Sequence, residues 1–151
     1  MFTYKYPRPA LTADVVLFDK AKREVLLISR NNEPFKGCWA LPGGFFDMDD
    51  ATIEATALRE LKEETGLDGV ALEEFCTASR IGRDPRERTV SVVFTGFADS
   101  DNAKATAGDD AREARWFPIG QLPPLAFDHN EILDKAIKAR LGWNTGDKII
   151  T

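Results

Sequence analysis

The sequence predicts an α/β layered domain in which a mixed β-sheet lies between helices. Short β-rich runs recur along the chain, two segments with helical periodicity interrupt them, and there is neither an internal repeat nor a low-complexity tract. At 151 residues the chain fits one domain spanning 1–151, with residues 1–10 and 142–151 expected at its periphery.

Residues 12–18, TADVVLF, and 24–29, EVLLIS, are β-rich runs separated by the polar turn Asp19 to Lys22, which predicts a hairpin. A loop at 31–34 and a short strand at 39–41 follow. Pro42-Gly43-Gly44 reads as a tight, backbone-exposing corner leading into Phe45-Phe46. The chain is helical from position 52. Strands are expected at 71–79 and 89–97, joined by the charged loop Arg83 to Arg88, and a further extended segment at 114–119 follows a polar stretch at 99–111. The last helix is expected to start near Asp128, with Asp128 and Glu131 as a capping box. Ile132, Leu133, Ala136, Ile137 and Leu141 form its apolar stripe, and Gly142 its end.

Composition narrows the function classes. No apolar run approaches the roughly 20 residues of a membrane span, and the opening MFTYKYPRPA lacks a signal-peptide layout, so a cytoplasmic protein is expected. A net charge of -5 argues against nonspecific nucleic-acid binding and means that an anionic substrate must be met through cations. Cys38 and Cys76 show no metal or redox spacing and read as buried, reduced thiols.

The helix after position 52 carries a crowd of like charge. At about 100° per residue, with Ile53 as zero, Ala57 falls near 40° and Leu61 near 80°, a stripe that faces a core. Glu60, Glu63 and Glu64 share an arc of roughly 100° beside that stripe. Such neighbours repel by a few tenths of a kcal/mol per pair when exposed, about that or more near apolar surface, so a cation is expected there. Arg59 and Lys62 on a solvated face are one source; a metal ion is the other.

The run Arg59-Glu60-Leu61-Lys62-Glu63-Glu64-Thr65-Gly66-Leu67 resembles the second half of the Nudix hydrolase box at all nine positions. Upstream the chain departs from the pattern: Asp50 stands where the box has glutamate, and eight residues instead of seven separate it from Arg59. Asp50, Asp49 and Glu54 are therefore all candidates to pair with Arg59. Similarity continues through Leu41 to Phe45, Arg83 to Arg86, Glu113 to Phe117 and Leu125 to His129, and covers about residues 10–140. These flanking segments resemble the Nudix branch typified by bacterial ADP-ribose pyrophosphatases.

That resemblance implies a Nudix-like α/β/α sandwich and Mg²⁺-dependent hydrolysis of a phosphoanhydride, with Mn²⁺ as a substitute. Glu60, Glu63, Glu64 and the carbonyl of Gly43 are the implied ligands, and Arg59, Glu60 and Glu63 the implied catalytic group, with Glu63 first choice for the general base. Asp109, Asp110 and Glu113 are alternatives outside the box. Arg83, Arg86 and Arg88 are candidates to hold substrate phosphates. For the base ring, Phe2, Tyr4, Tyr6, Trp39 and Phe46 all offer surfaces, while His129 reads as structural.

The expected substrate is a nucleoside diphosphate linked to another moiety, ADP-ribose first, giving AMP and ribose 5-phosphate. Nucleoside triphosphates or a dinucleotide such as NADH are the enzymatic alternatives, and a non-catalytic sensor of an ADP-ribose-type metabolite is the other class. The chain has no length left for a DNA-binding domain, which weighs against the sensor. No nucleic-acid or membrane partner is expected, and a homodimer is left open.

Overall fold

The structure, a computed structural model, describes residues 3–103 and 113–142. Among the described residues, seven strands and two α-helices follow one another as β1 (Ala10–Asp19), β2 (Glu24–Ser29), β3 (Trp39–Ala40), β4 (Gly43–Phe45), α1 (Ile53–Thr65), β5 (Glu73–Ala78), β6 (Thr89–Phe97), β7 (Ala114–Pro118) and α2 (His129–Leu141). A 3₁₀ turn, Ile119–Gln121, follows β7.

The mixed sheet expected from the sequence is present: β1 and β6 run parallel from Ala10 to Phe18, and the other pairings are antiparallel. Period-two alternation along β1 then divides the core. Val16 and Phe18 pack with Ile132, Leu133, Ala136 and Ile137 of α2, whereas Ala13, Val15 and Leu17 pack with Ala57 and Leu61 of α1. The helices cover opposite faces, making an α/β/α sandwich.

One topological detail creates the site. Since β6 occupies the whole of one edge of β1, the other edge is shared: Phe18 and Asp19 pair with β2, while Thr12, Ala13 and Asp14 pair with β4. The sheet parts between those two pairings, leaving side chains of β1, β2 and the β3–β4 segment facing a common space.

Three expectations need correction. Pro42 to Gly44 is not a free corner, because residues 43–45 form β4, laddered onto β1. The capping box at α2 is not made either. Asp128 stands at the N-cap, but its side chain caps nothing, since its two oxygens accept Nε and Nη2 of Arg83 at 2.9 and 2.8 Å. Glu131 instead pairs with Arg80. Finally, Cys38 and Cys76 are free thiols, as expected, but only half-buried, and burial pushes the Cys76 thiol up. At α1 the Thr52 hydroxyl does cap, accepting Ala55 N–H at 3.0 Å, and Gly66 ends the helix in the left-handed region at φ 78°.

The Arg83–Asp128 pair ties the β5–β6 loop to the start of α2 with side chains only 3% and 9% exposed. Truncating one member strands a buried charge. Asp128→Ala is predicted to lower unfolding free energy by about 3 kcal/mol or more in urea titrations. Glu131→Ala, removing an exposed pair, should change it by less than about 1 kcal/mol. Equal losses would restore the capping box.

Candidate active site

Helix α1 carries its carboxylates at three depths. Its buried face comprises Thr56, Ala57, Leu61, Glu64 and Thr65, so the apolar stripe that seats the helix carries Glu64 inward to 4% exposure. The Glu60 side chain is 16% exposed and that of Glu63 58%. Glu64 Oε1 accepts the backbone N–H of Gly43 at 2.8 Å.

Arg59 organises the rest. Its Nε and Nη2 grip the two oxygens of Asp50 at 2.9 Å each, and Nη1 reaches Glu60 at 2.8 Å and Glu63 at 3.3 Å. Nη2 also donates to the carbonyl of Phe45 at 3.2 Å. Of the three candidate partners it is therefore Asp50 that pairs with Arg59. The longer spacing is absorbed in a turn, where Asp50 N–H donates to the Asp47 carbonyl and the Asp50 carboxylate accepts Asp47 N–H and the Thr56 hydroxyl. The Arg59 fork, helped by the Asp47 N–H, holds the Asp50 carboxyl far below its usual range, and Asp50 in turn raises Arg59.

The two glycines of β4 let this helix close on the sheet. A Cβ on Gly44 would lie 2.4 Å from Glu60 Cδ, and one on Gly43 would lie 2.3 Å from Asp14 Oδ1 and from the Ala13 carbonyl. Side chains there would push Glu60 and Asp14 apart. Around them opens a cavity of about 560 Å³, whose lining includes Glu60, Glu64, Asp47 and the two glycines together with Arg30, Arg86 and Phe127. Its volume suits a small-molecule site.

A polar network that sequence reasoning missed forms its floor. Asp14, 6% exposed, faces His129 Nε2 at 3.8 Å, and His129 Nδ1 accepts the N–H of Leu41 at 3.1 Å. That acceptor role leaves the proton of the neutral ring on Nε2, toward Asp14. Burial pushes Asp14 up, opposed by His129 and Arg83, and pushes His129 down, opposed by Asp14. Arg83 Nη1 donates to Ser91 Oγ at 2.7 Å, which lies 2.5 Å from Thr12 Oγ1. A lone carboxylate inside the apolar run of β1 was the available signal for Asp14.

The other sequence candidates disperse. Glu63 is not part of the cavity lining, whereas Glu60, Glu64, Gly43, Arg83 and Arg86 are. Arg83 is committed to Asp128 and Ser91, and Arg86 forks onto Asp84 at 3.1 and 2.8 Å. Arg88 lies away from the cavity and donates to the Ser79 carbonyl, while Glu113 pairs with Arg115 on the surface. Asp109 and Asp110 fall outside the described residues. Among the described residues, no three His, Cys, Asp or Glu side chains converge closely enough to enclose a metal ion by themselves.

The Asp50–Arg59 fork has a pH signature. A carboxyl depressed in the folded state contributes stability above its unfolded pKa of about 3.9 and loses it as pH falls through the folded value. Asp50→Asn is predicted to melt below wild type at pH 7, with the gap shrinking below about pH 4. A gap as wide at pH 2 as at pH 7 would remove the ion pair as its source.

Comparison with known proteins bears on the family and the fold. The NUDIX domain model matches residues 8–138. The chain is 42% identical over 141 residues to the ADP-ribose pyrophosphatase of Methanocaldococcus jannaschii, covering 93% of this chain and 78% of that protein. It is 37% identical to the ADPR responsive transcriptional repressor NtrR of Acinetobacter baylyi, covering 93% of this chain but 57% of the repressor. In structure it is similar to the NUDIX domain of Shewanella oneidensis NrtR complexed with ADP ribose, with TM-score 0.82, 34% identity and coverage of 89% and 90% of the two chains. A box helix whose arginine gathers its glutamates beside a glycine-bearing strand, and a family match over most of the length, lead to one conclusion: the chain belongs to the NUDIX family.

Proposed function

We propose that this chain is an Mg²⁺-dependent pyrophosphohydrolase that cleaves the diphosphate of ADP-ribose, or of a close relative, into AMP and ribose 5-phosphate. The observation that carries the reading is the carboxylate of Glu64, buried on the cavity wall beside Glu60. Two carboxylates facing one cavity repel, and a hard cation there relieves them.

The donor set fits such an ion. Oxygen ligands suit Mg²⁺ or Mn²⁺, and Mg²⁺ takes only one or two carboxylates, filling the remaining positions with water and substrate phosphate. Glu60 and Glu64 would hold it, with the Gly43 carbonyl as a further donor and Glu63 within the same cluster. When bound, it supplies charge neutralisation for the diphosphate and acidifies water.

The chain's own residues do the positioning. Arg59, fixed by Asp50, holds Glu60 at the cavity wall, and the Gly43 N–H orients Glu64. Glu63, our choice of general base, stands at the solvent-exposed end of the cluster, where it can take a proton from water and return it to bulk. A second reading, ligand sensing without turnover, draws support from the similarity to NrtR and to the Acinetobacter repressor.

Glu64→Gln separates the readings. Without metal it should melt at or above the wild-type temperature, because repulsion falls; it should also lose the upward shift that Mg²⁺ gives wild type. Hydrolysis of ADP-ribose, followed by chromatography of AMP and ribose 5-phosphate, should fall about a hundredfold or more. Wild-type protein that binds ADP-ribose but leaves it, triphosphates and NADH intact with Mg²⁺ present would favour the sensor.

A further inference from the structure

Three planar groups gather in the lining of the same cavity. The guanidinium carbon of Arg86 lies 5.5 Å from the ring centroids of both Phe45 and Phe127, and all three residues line the cavity. Phe45 is 42% exposed and the Arg86 side chain 41%, so both present surface to a ligand.

The charged edge of Arg86 is already used. Its fork onto Asp84 rests on a carboxylate only 4% exposed, and against the burial that would raise it, this fork holds the Asp84 carboxyl below its usual range. An arginine anchored by its edge offers a ligand its flat face. Phe127 is braced likewise: its backbone adopts φ 54°, uncommon for a bulky residue, while the Phe35 ring meets it edge-on at 4.9 Å and the Arg30 guanidinium lies 4.9 Å from its centroid.

Resting on the nucleoside diphosphate reading, we propose that Phe45, Arg86 and Phe127 form the wall on which the substrate's nucleobase stacks. Phe45 follows Gly44, against which Glu60 packs, and its carbonyl accepts from Arg59. The wall therefore begins one residue from the carboxylate cluster, a separation that a single nucleotide spans. Of the aromatic residues considered from sequence, Trp39 and Phe46 are not among those lining this cavity, Tyr4 and Tyr6 border a separate surface depression, and Phe2 falls outside the described residues. In this arrangement Arg86 acts through its face and not as a phosphate grip.

Calorimetric titration of wild type, Phe45→Ala and Arg86→Lys with AMP and with ribose 5-phosphate tests the wall, after circular dichroism has shown both variants folded. Loss of a stacking face should weaken AMP about tenfold in each variant and leave ribose 5-phosphate unchanged. Equal loss for both ligands would make Arg86 a phosphate grip and overturn the proposal, as would unchanged AMP affinity in both variants or no AMP binding to wild type. Turnover of ADP-ribose by wild type is scored separately. Turnover with AMP affinity insensitive to the variants removes the wall alone, whereas base-dependent AMP binding without turnover removes the hydrolase and keeps the wall.

Discussion

The Arg59 guanidinium is the contact on which the rest of the site depends. Helix α1 places Glu60, Glu63 and Glu64 within five residues of one another, and in the absence of a cation each close pair would repel by a few tenths of a kcal/mol or more. Arg59 gathers Glu60 and Glu63 with one nitrogen and locks onto Asp50 with the other two, so the helix, the turn before it and β4 share a single charged hub. Glu64 is oriented by the backbone N–H of Gly43 and faces the cavity beside Glu60.

That hub works only because the sheet parts where it does. With β6 along one edge of β1, the opposite edge is divided between β2 and β4, and the gap between them becomes the cavity. Glycines at 43 and 44 then allow carboxylates to approach β4 from both sides, Glu60 from the helix and Asp14 from β1. The buried polar network of Arg83, Asp128, Ser91, Asp14 and His129 holds the far side in register with α2. Rigid walls on two sides suit a reaction in which positioning and charge neutralisation do most of the chemistry.

What the sequence revealed followed the range of the interactions. The β1–β2 hairpin, the box helix and its glycine end are local, set by alternation, 3.6-residue periodicity and turn residues, and each is found within a few residues of its expected place. Arg59's partner was narrowed to three acids but not chosen, because the extra residue is taken up by a turn at Asp47 to Asp50 that no periodicity announces. β4 was missed as a strand because three residues with two glycines carry no alternation. Asp128 was given to a cap because that is the local use of an N-cap aspartate, whereas its actual partner, Arg83, is 45 positions away. The Leu41–His129 bond, which brings the histidine to the cavity, spans 88 positions. Such contacts arise from the topology of the sheet, and motifs alone do not contain them.

The central claim, that the inward carboxylates of α1 are held for a divalent ion, is most directly tested by electron paramagnetic resonance of Mn²⁺ titrated into wild type and into Glu64→Gln. Loss of the free-ion signal on adding wild-type protein, its recovery with excess Mg²⁺, and a much weaker effect with Glu64→Gln are the predicted results. An Mn²⁺ signal unaffected by wild-type protein, or affected equally by both proteins, would contradict the account.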